Sequence, residues 1–338
     1  MHALLACATV LMLILLGALA GSSSAGIALV TIVLPYLAWL TLILGVCYRV
    51  VRWSLSPVPY RIPTTCGQQR SLPWIRSARL DNPSNGAGAA MRVALEVLLF
   101  RSLLRNSRAR IQGGRLAFAE TRVLWLGALA LHWSLLVVVL RHLRFAMEPT
   151  PAFVRQLGEF DGLLQIGAPT LLLSDVVLLG ALSYLLARRW WNPALRYLSL
   201  FSDYFALLLL LTIAASGIWM RYVSRVDVVS VKQLVLGLVT LHPQRPTVSD
   251  PLFLVHLLLV STLAIYLPFS KLMHLGGAFL SPTRNLANNS RRKRHVNPWN
   301  PAVPTHSYAE WERENADKLT LAGLPLDEAS NDRSPAAD

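Results

Sequence analysis

Cysteine is scarce in this chain: Cys7, Cys47 and Cys66 are all it has. None stands in a CxxC or CxxCH spacing, which argues against covalent c-type haem and against a cysteine-ligated iron–sulfur cluster within the chain. Three cysteines also give no disulfide framework. Charge is scarce too. Only 15% of the 338 residues are Asp, Glu, Lys or Arg, where soluble domains carry about a quarter. In place of charge there is apolar sequence, with 54% of residues hydrophobic.

The apolar residues are gathered into runs of about twenty, the length that crosses a bilayer as a helix. Six such spans fall near residues 3–20, 26–51, 122–145, 167–188, 201–221 and 251–277. The expected fold is an all-α integral membrane protein, a bundle of about six transmembrane helices with a long cytoplasmic loop and a cytoplasmic C-terminal tail. The first span has a second reading as a signal peptide, since "GALAGSS" offers an Ala-x-Ala-like cleavage site. However, "MHALL" has no positive n-region, which favours a retained span. With the N-terminus placed in the cytoplasm, Lys and Arg divide 25 inside to 7 outside. That asymmetry follows the positive-inside rule and accounts for the formal charge of +14 without any nucleic acid.

The boundaries expected are two N-terminal helices over 1–52, a cytoplasmic loop over 53–121, a four-helix core over 122–280 and a tail over 281–338. The loop is too long for a plain turn. It opens on "SPVPYRIPTTCGQQRSLPWI", rich in Pro and turn residues. It then runs into "AAMRVALEVLLFRSLLRNSRARI", where Val93, Leu95, Val97, Leu98 and Leu104 alternate with five basic residues. This reads as an amphipathic helix that lies on the inner face or docks a partner. The tail is polar with interspersed aromatics, the composition of a partner-binding extension or of a solvated disordered one. The sequence contains no internal repeat.

Histidine is costly inside a bilayer and needs a partner there. Two spans carry two each. "LALHWSLLVVVLRHLRF" holds His132 and His142, and "VHLLLVSTLAIYLPFSKLMH" holds His256 and His274. The two spans run antiparallel, so His142 and His256 share the outer depth and His132 and His274 the inner one. On continuous helices ten residues rise about 15 Å and eighteen about 27 Å, which places the pair midpoints about 21 Å apart. Pro268 is the one feature that would shift this register.

Zinc or bare iron wants carboxylate or thiolate company, and the apolar interiors of these spans contain no Asp, Glu or Cys. Two imidazoles alone suit an axially ligated haem, whose porphyrin supplies four nitrogens. The expected cofactors are two haem b groups, one on His132 with His274 and one on His142 with His256. Trp125, Trp133 and Phe269 supply apolar walls, and Gly127, Ala128, Ala130, Gly276 and Gly277 allow close approach of a flat macrocycle. Arg141, Arg144 and Lys271 stand within a turn of the ligands as candidate contacts to propionates or quinone. The plain alternative is a haem-free transporter or structural anchor whose histidines relay protons or only pack.

The spacing of two histidines ten apart and two eighteen apart on a later antiparallel span resembles the gamma subunit of respiratory nitrate reductase, a dihaem cytochrome b. The blocks "SPVPYRIPTTCGQQRSLPWIRSARLDNP" and "FSKLMHLGGAFLSPTRNLANNSRRKRHVNPWN" are similar to the DsrM family, the cytochrome b subunits of sulfite-reduction-associated DsrMKJOP complexes. The resemblance spans roughly residues 26 to 310. It implies an electron-transfer subunit of a quinone-linked oxidoreductase in the cell inner (cytoplasmic) membrane. It also implies exchange with menaquinone or ubiquinone, and the four histidines as ligands. The implied partners are a cytoplasmic DsrK-like iron–sulfur subunit related to heterodisulfide reductases, with DsrJ, DsrO and DsrP-like subunits. The lysine that assists quinol in the nitrate reductase relatives has no counterpart here, with Arg144 or Arg155 as substitutes. Asp175, a carboxylate inside the fourth span, is a functional candidate by its depth. Cys66 is a candidate redox thiol or an inert loop residue.

Overall fold

A computed structural model describes residues 1–56, 68–105, 108–119, 121–162, 169–244, 250–281, 285–289, 291 and 304–327. The chain divides into two compact units, one of residues 1–56 with 61–293 and one of residues 57–60 with 294–338. Cys66 lies outside the described residues.

The first unit begins with α1 (His2–Ala20) and α2 (Ser24–Ser54), the latter containing one π turn at Leu29–Val33. In the loop stand α3 (Gly86–Leu99), a short α4 (Arg101–Arg105) and an antiparallel hairpin, β1 (Arg108–Gln112) with β2 (Arg115–Ala119). The hairpin turns on Gly113 and Gly114 at φ +57° and +76°, the backbone a two-residue primed turn requires. Then follow α5 (Arg122–Ala146), α6 (Ala152–Asp161), α7 (Leu173–Trp191), α8 (Pro193–Leu198), α9 (Phe201–Ser224) and α10 (Val228–Val239). The last span supplies α11 (Pro251–Tyr266) and α12 (His274–Leu280). Among the described residues the regular structure is thus helical apart from one hairpin, as expected for an α-helical membrane protein.

Among the described residues five segments are long and apolar enough to cross a bilayer: α1, α2, α5, α9 and Pro251–Phe269. The fourth expected span forms as α7. Its 19 residues rise about 28 Å, but Asp175, Arg188 and Arg189 interrupt its apolar run. It is sandwiched between α5 and α9. Leu4, Leu15, Trp39, Ile43, Val123 and Val139 are exposed around the bundle, an apolar surface that lipid covers.

The core explains the order of packing. Ala6 and Val10 of α1 meet Tyr204 and Leu209 of α9 and Val255 and Leu259 of α11. The approach of α1 to α11 is so close that a Cβ on Gly17 would stand 2.8 Å from Val255 Cα. A second cluster joins Leu131 of α5 to Leu178, Ala181 and Leu182 of α7 and to Leu207, Leu210 and Leu211 of α9. Helices α5 and α11, which carry three of the four intramembrane histidines, are not closely packed against each other among the described residues. Helices α7 and α9 bridge them.

The last span is not one continuous helix, and this corrects the register drawn from eighteen uninterrupted residues. Pro268 has no N–H to donate. Helix α11 stops at Tyr266, two 3-10 turns follow at Leu267–Phe269 and Lys271–Met273, and α12 starts at His274. Helix α2 holds the break in place. Gly45 seats Pro268 so tightly that a Cβ would lie 2.6 Å from Pro268 Cγ, and Arg49 Nε donates to the Pro268 carbonyl at 2.9 Å.

The amphipathic loop helix is α3, capped by Asn85, whose side chain accepts from Gly88 N–H at 2.8 Å. It docks on α5. The Trp125 and Trp133 indoles donate to the carbonyls of Leu99 (2.6 Å) and Leu98 (3.0 Å), and Thr121 donates to Leu103 (3.1 Å). A helix ends with unpaired carbonyls, and here two indoles from another helix satisfy them. Further along, Asn288 ties the loop to the segment after α12. Its N–H donates to Pro83 O at 2.7 Å and its side-chain amide to Asn82 Oδ1 at 2.8 Å, while its Oδ1 accepts from Gln69 at 2.8 Å.

In the second unit α13 (Tyr308–Leu321) starts with a capping box. Ser307 Oγ accepts from Glu310 N–H at 3.3 Å and the Glu310 carboxylate accepts from Ser307 N–H at 2.8 Å.

Candidate haem-binding site

His132 and His274 meet. Their ring centroids are 5.9 Å apart with the planes at 75°. His132 comes from the middle of α5 and His274 from the first position of α12. The break at Pro268 therefore delivers His274 where a straight helix would have carried it elsewhere. His142 lies on α5 and His256 on α11, the two helices that α7 and α9 bridge. His256 sits in the gap between α11 and α9, with Gly217 of α9 beneath it. A Cβ at Gly217 would stand 3.3 Å from His256 Cε1.

All four imidazoles are held by the same nitrogen. The Nδ1 atoms of His132, His142 and His274 lie 2.8, 2.7 and 2.8 Å from the carbonyl oxygens of Ala128, Val138 and Lys271. A carbonyl only accepts, so each Nδ1 carries the proton. His256 Nδ1 lies 2.9 Å from Ser216 Oγ. That hydroxyl donates its one proton to Ile213 O at 3.0 Å, so it accepts from His256. The tautomers follow from this network. Every Nε2 is left with its lone pair, and among the described residues none makes a hydrogen bond. Metal-ligating histidines are oriented in this way, with one nitrogen held by a carbonyl or hydroxyl and the other presented to the metal.

The residues fit a haem. Metal–imidazole bonds of about 2 Å on opposite sides of one ion separate two ring centroids by roughly 6 Å, and the His132–His274 pair stands at 5.9 Å. A cavity of about 610 Å³ surrounds that pair, walled by Val93, Val97, Leu136, Leu275 and Phe279 among others. Among the described residues no group of three or more His, Cys, Asp and Glu could hold a metal ion.

Of the expected wall and spacer residues, Ala128 and Trp133 line the cavity. Gly127 does not serve the macrocycle. It receives the Tyr184 ring of α7, which a Cβ would approach to 2.6 Å. Gly277 faces Trp53, 3.6 Å from a Cβ built there, and Phe269 is exposed. Sequence reading missed Phe100, whose ring meets His132 edge-on at 4.9 Å from a backbone at φ +48°.

The basic residues near the ligands are already engaged in part. Arg141 forms ion pairs with Asp161 (3.1 Å) and Asp175 (2.7 Å); Asp175 is buried and the other two are partly buried. Asp161 also accepts from the Ser174 N–H and hydroxyl, each at 2.7 Å. Tyr222, on the π turn that ends α9, donates to Asp175 Oδ2 at 3.2 Å. Arg144 stacks over the Phe145 ring at 4.6 Å. Lys271 pairs with Asp203 at 2.8 Å and is otherwise exposed. Asp161, Tyr222, Ser216 and Gly217 had no sequence signal: they reach the site only through the packing of α6, α7 and α9.

Residues 90–292 match the family described as nitrate reductase gamma subunit. A curated protein of Archaeoglobus fulgidus, named Hdr-like menaquinol oxidoreductase cytochrome b-like subunit, is 43% identical over 80% of this chain and 83% of its own length. The protein of the same name from Archaeoglobus profundus is 44% identical over 79% of this chain and 82% of its own length. The chain belongs to the nitrate reductase gamma subunit family.

Proposed function

We propose that this chain is a dihaem cytochrome b that conducts electrons between membrane quinone and a cytoplasmic iron–sulfur subunit. The observation that carries the reading is the set of four intramembrane imidazoles, each held at Nδ1 and presenting Nε2, with His132 and His274 at 5.9 Å. Two haem b groups, held by His132 with His274 and by His142 with His256, would supply reversible one-electron chemistry. With both imidazoles of each pair held by the iron, no position would remain for substrate, and the group would serve electron transfer. The names of the Archaeoglobus relatives support menaquinol as the redox partner.

The residues divide the work. Arg141, which precedes His142 on α5, pairs with Asp175, which also accepts from Tyr222; these groups would orient a quinol headgroup and take up its proton. The His132–His274 pair lies beside α3, on the face assigned to the cytoplasm by the basic residues. There the loop and tail are docking surfaces for a DsrK-like subunit of heterodisulfide reductase type, in a complex with DsrJ, DsrO and DsrP-like subunits of dissimilatory sulfur metabolism.

An absorption spectrum of the purified protein tests the reading. Dithionite should develop b-type bands, and a redox titration should resolve two components. His142→Ala should remove one of the two. A protein with no reducible haem would overturn the proposal.

A further inference from the structure

A second cavity, of about 390 Å³, lies at the C-terminal end of α7. Tyr184, Arg188 and Trp191 line it from α7, and Asn192 and Pro193 line it from the junction with α8. No carboxylate stands in this lining. Its polar groups are a guanidinium, an amide, an indole N–H and a phenol, and each of them can donate.

Two neighbouring arginines are used differently here. Arg189 donates to Ser199 Oγ at 2.8 Å, and that hydroxyl donates in turn to Leu195 O at 2.7 Å. The Arg188 guanidinium makes no hydrogen bond or ion pair among the described residues. Asn192 Oδ1 accepts from the N–H groups of Ala194 (3.0 Å) and Leu195 (3.2 Å), which turns the amide nitrogen into the end left to donate. The Tyr184 ring is fixed by its seat on Gly127 of α5. One cation with several donors and no acid selects an anion, and a guanidinium meets phosphate oxygens through paired N–H groups.

The surroundings specify which anion. The cavity opens at the end of a helix that rises about 28 Å. Trp190 and Trp191 are 50% and 80% exposed there, and tryptophans at a helix end sit at the headgroup level of a bilayer. The exposed apolar side chains of Val123 and Leu126 lie within one turn of Gly127 on α5. A free phosphate gains nothing from these apolar groups, whereas a phospholipid uses them together with the donors. We propose that this cavity binds the headgroup of one anionic phospholipid, with its phosphate on Arg188 and Asn192 and its acyl chains against α5 and α7. The site stands apart from the two-haem reading and does not depend on it.

Native mass spectrometry of the purified full chain, titrated in detergent with phosphatidylglycerol, tests the proposal. The wild type should take up one molecule in preference to further ones, and phosphatidylcholine should bind more weakly. R188Q should bind phosphatidylglycerol about tenfold more weakly, through loss of a charge-assisted hydrogen bond, and R188K should recover part of the loss. R196Q removes an exposed arginine of α8 outside the lining and should leave binding unchanged. W191A, at an exposed position, should also weaken binding, and it carries the test if R188Q does not fold. Wild-type binding by R188Q, or by W191A in its place, overturns the proposal. Equal weakening by R196Q overturns it too, because the attraction then belongs to the basic surface as a whole. So does phosphatidylcholine binding as tight as that of phosphatidylglycerol, or displacement of the lipid by inorganic phosphate, which would make this a site for a free anion.

Discussion

Ser216 accepts the Nδ1–H of His256 at 2.9 Å while giving its own proton to Ile213 O. This is the only one of the four imidazole anchors that a side chain supplies, so it is the only one that a point substitution can delete. On the proposed two-haem reading, Ser216→Ala should weaken retention of a haem held by His142 and His256 by about 10- to 100-fold, the usual cost of losing such a partner. Haem-to-protein ratio after detergent washing measures it. A ratio equal to that of the wild type would contradict the role.

Gly45 is the seat of Pro268. Gly45→Leu should push the 3-10 turns away from α2 and cost about 1–3 kcal/mol through overpacking. The damage should fall on the His274 side, so one haem should be lost preferentially while the other stays. Thermal unfolding followed at both haem signals checks this; equal loss of the two haems would contradict it.

Arg141 lies between the buried Asp175 and the partly buried Asp161. Arg141→Met leaves Asp161 and Asp175 uncompensated and should destabilise the protein by about 3–5 kcal/mol. The triple change of Arg141→Met with Asp161→Asn and Asp175→Asn should recover most of that loss. Denaturation in detergent compares the three proteins. A single variant as stable as the wild type would show that the cluster contributes little.

Trp125 and Trp133 close the C-terminal end of α3. Replacing both with Phe removes two hydrogen bonds worth about 0.5–1.5 kcal/mol each. Helix α3 should then open more often, and limited trypsin digestion should cut faster after Arg92 or Arg101. Unchanged cleavage would mean that α3 is held by its apolar contacts alone.

Much of the cofactor site can be read directly from the chain, because the residues that define it are anomalies in their setting. Four histidines in two apolar spans stand out against a bilayer, and His132 does meet His274. Local signals elsewhere are equally readable: the Gly113–Gly114 turn of the hairpin and the Ser307–Glu310 capping box each sit within a few residues. What sequence hides is long-range. Val97 and Phe100 belong to a loop helix whose anchors are indoles 26 and 35 residues from the carbonyls they bind. Ser216 reaches His256 across 40 residues. The break at Pro268 is visible as a proline, but the direction in which the chain leaves it is set by Gly45 and Arg49, which come some 220 residues earlier. The basic residues near the ligands mislead for the same reason. Proximity along a helix says nothing of Asp161, Asp175 or Asp203 waiting on other helices.

The asparagine clamp dictates an order of manufacture. Asn82 and Asn288 are 206 residues apart, so the loop segment is synthesised long before the residue that fastens it. At about 5–20 residues per second a ribosome needs some 10 to 40 seconds to cover that interval. Throughout that time the clamp stays open, and His274, on the last span, is made only fourteen residues before Asn288. The cavity around His132 and His274 is therefore among the last parts of the helical bundle to close.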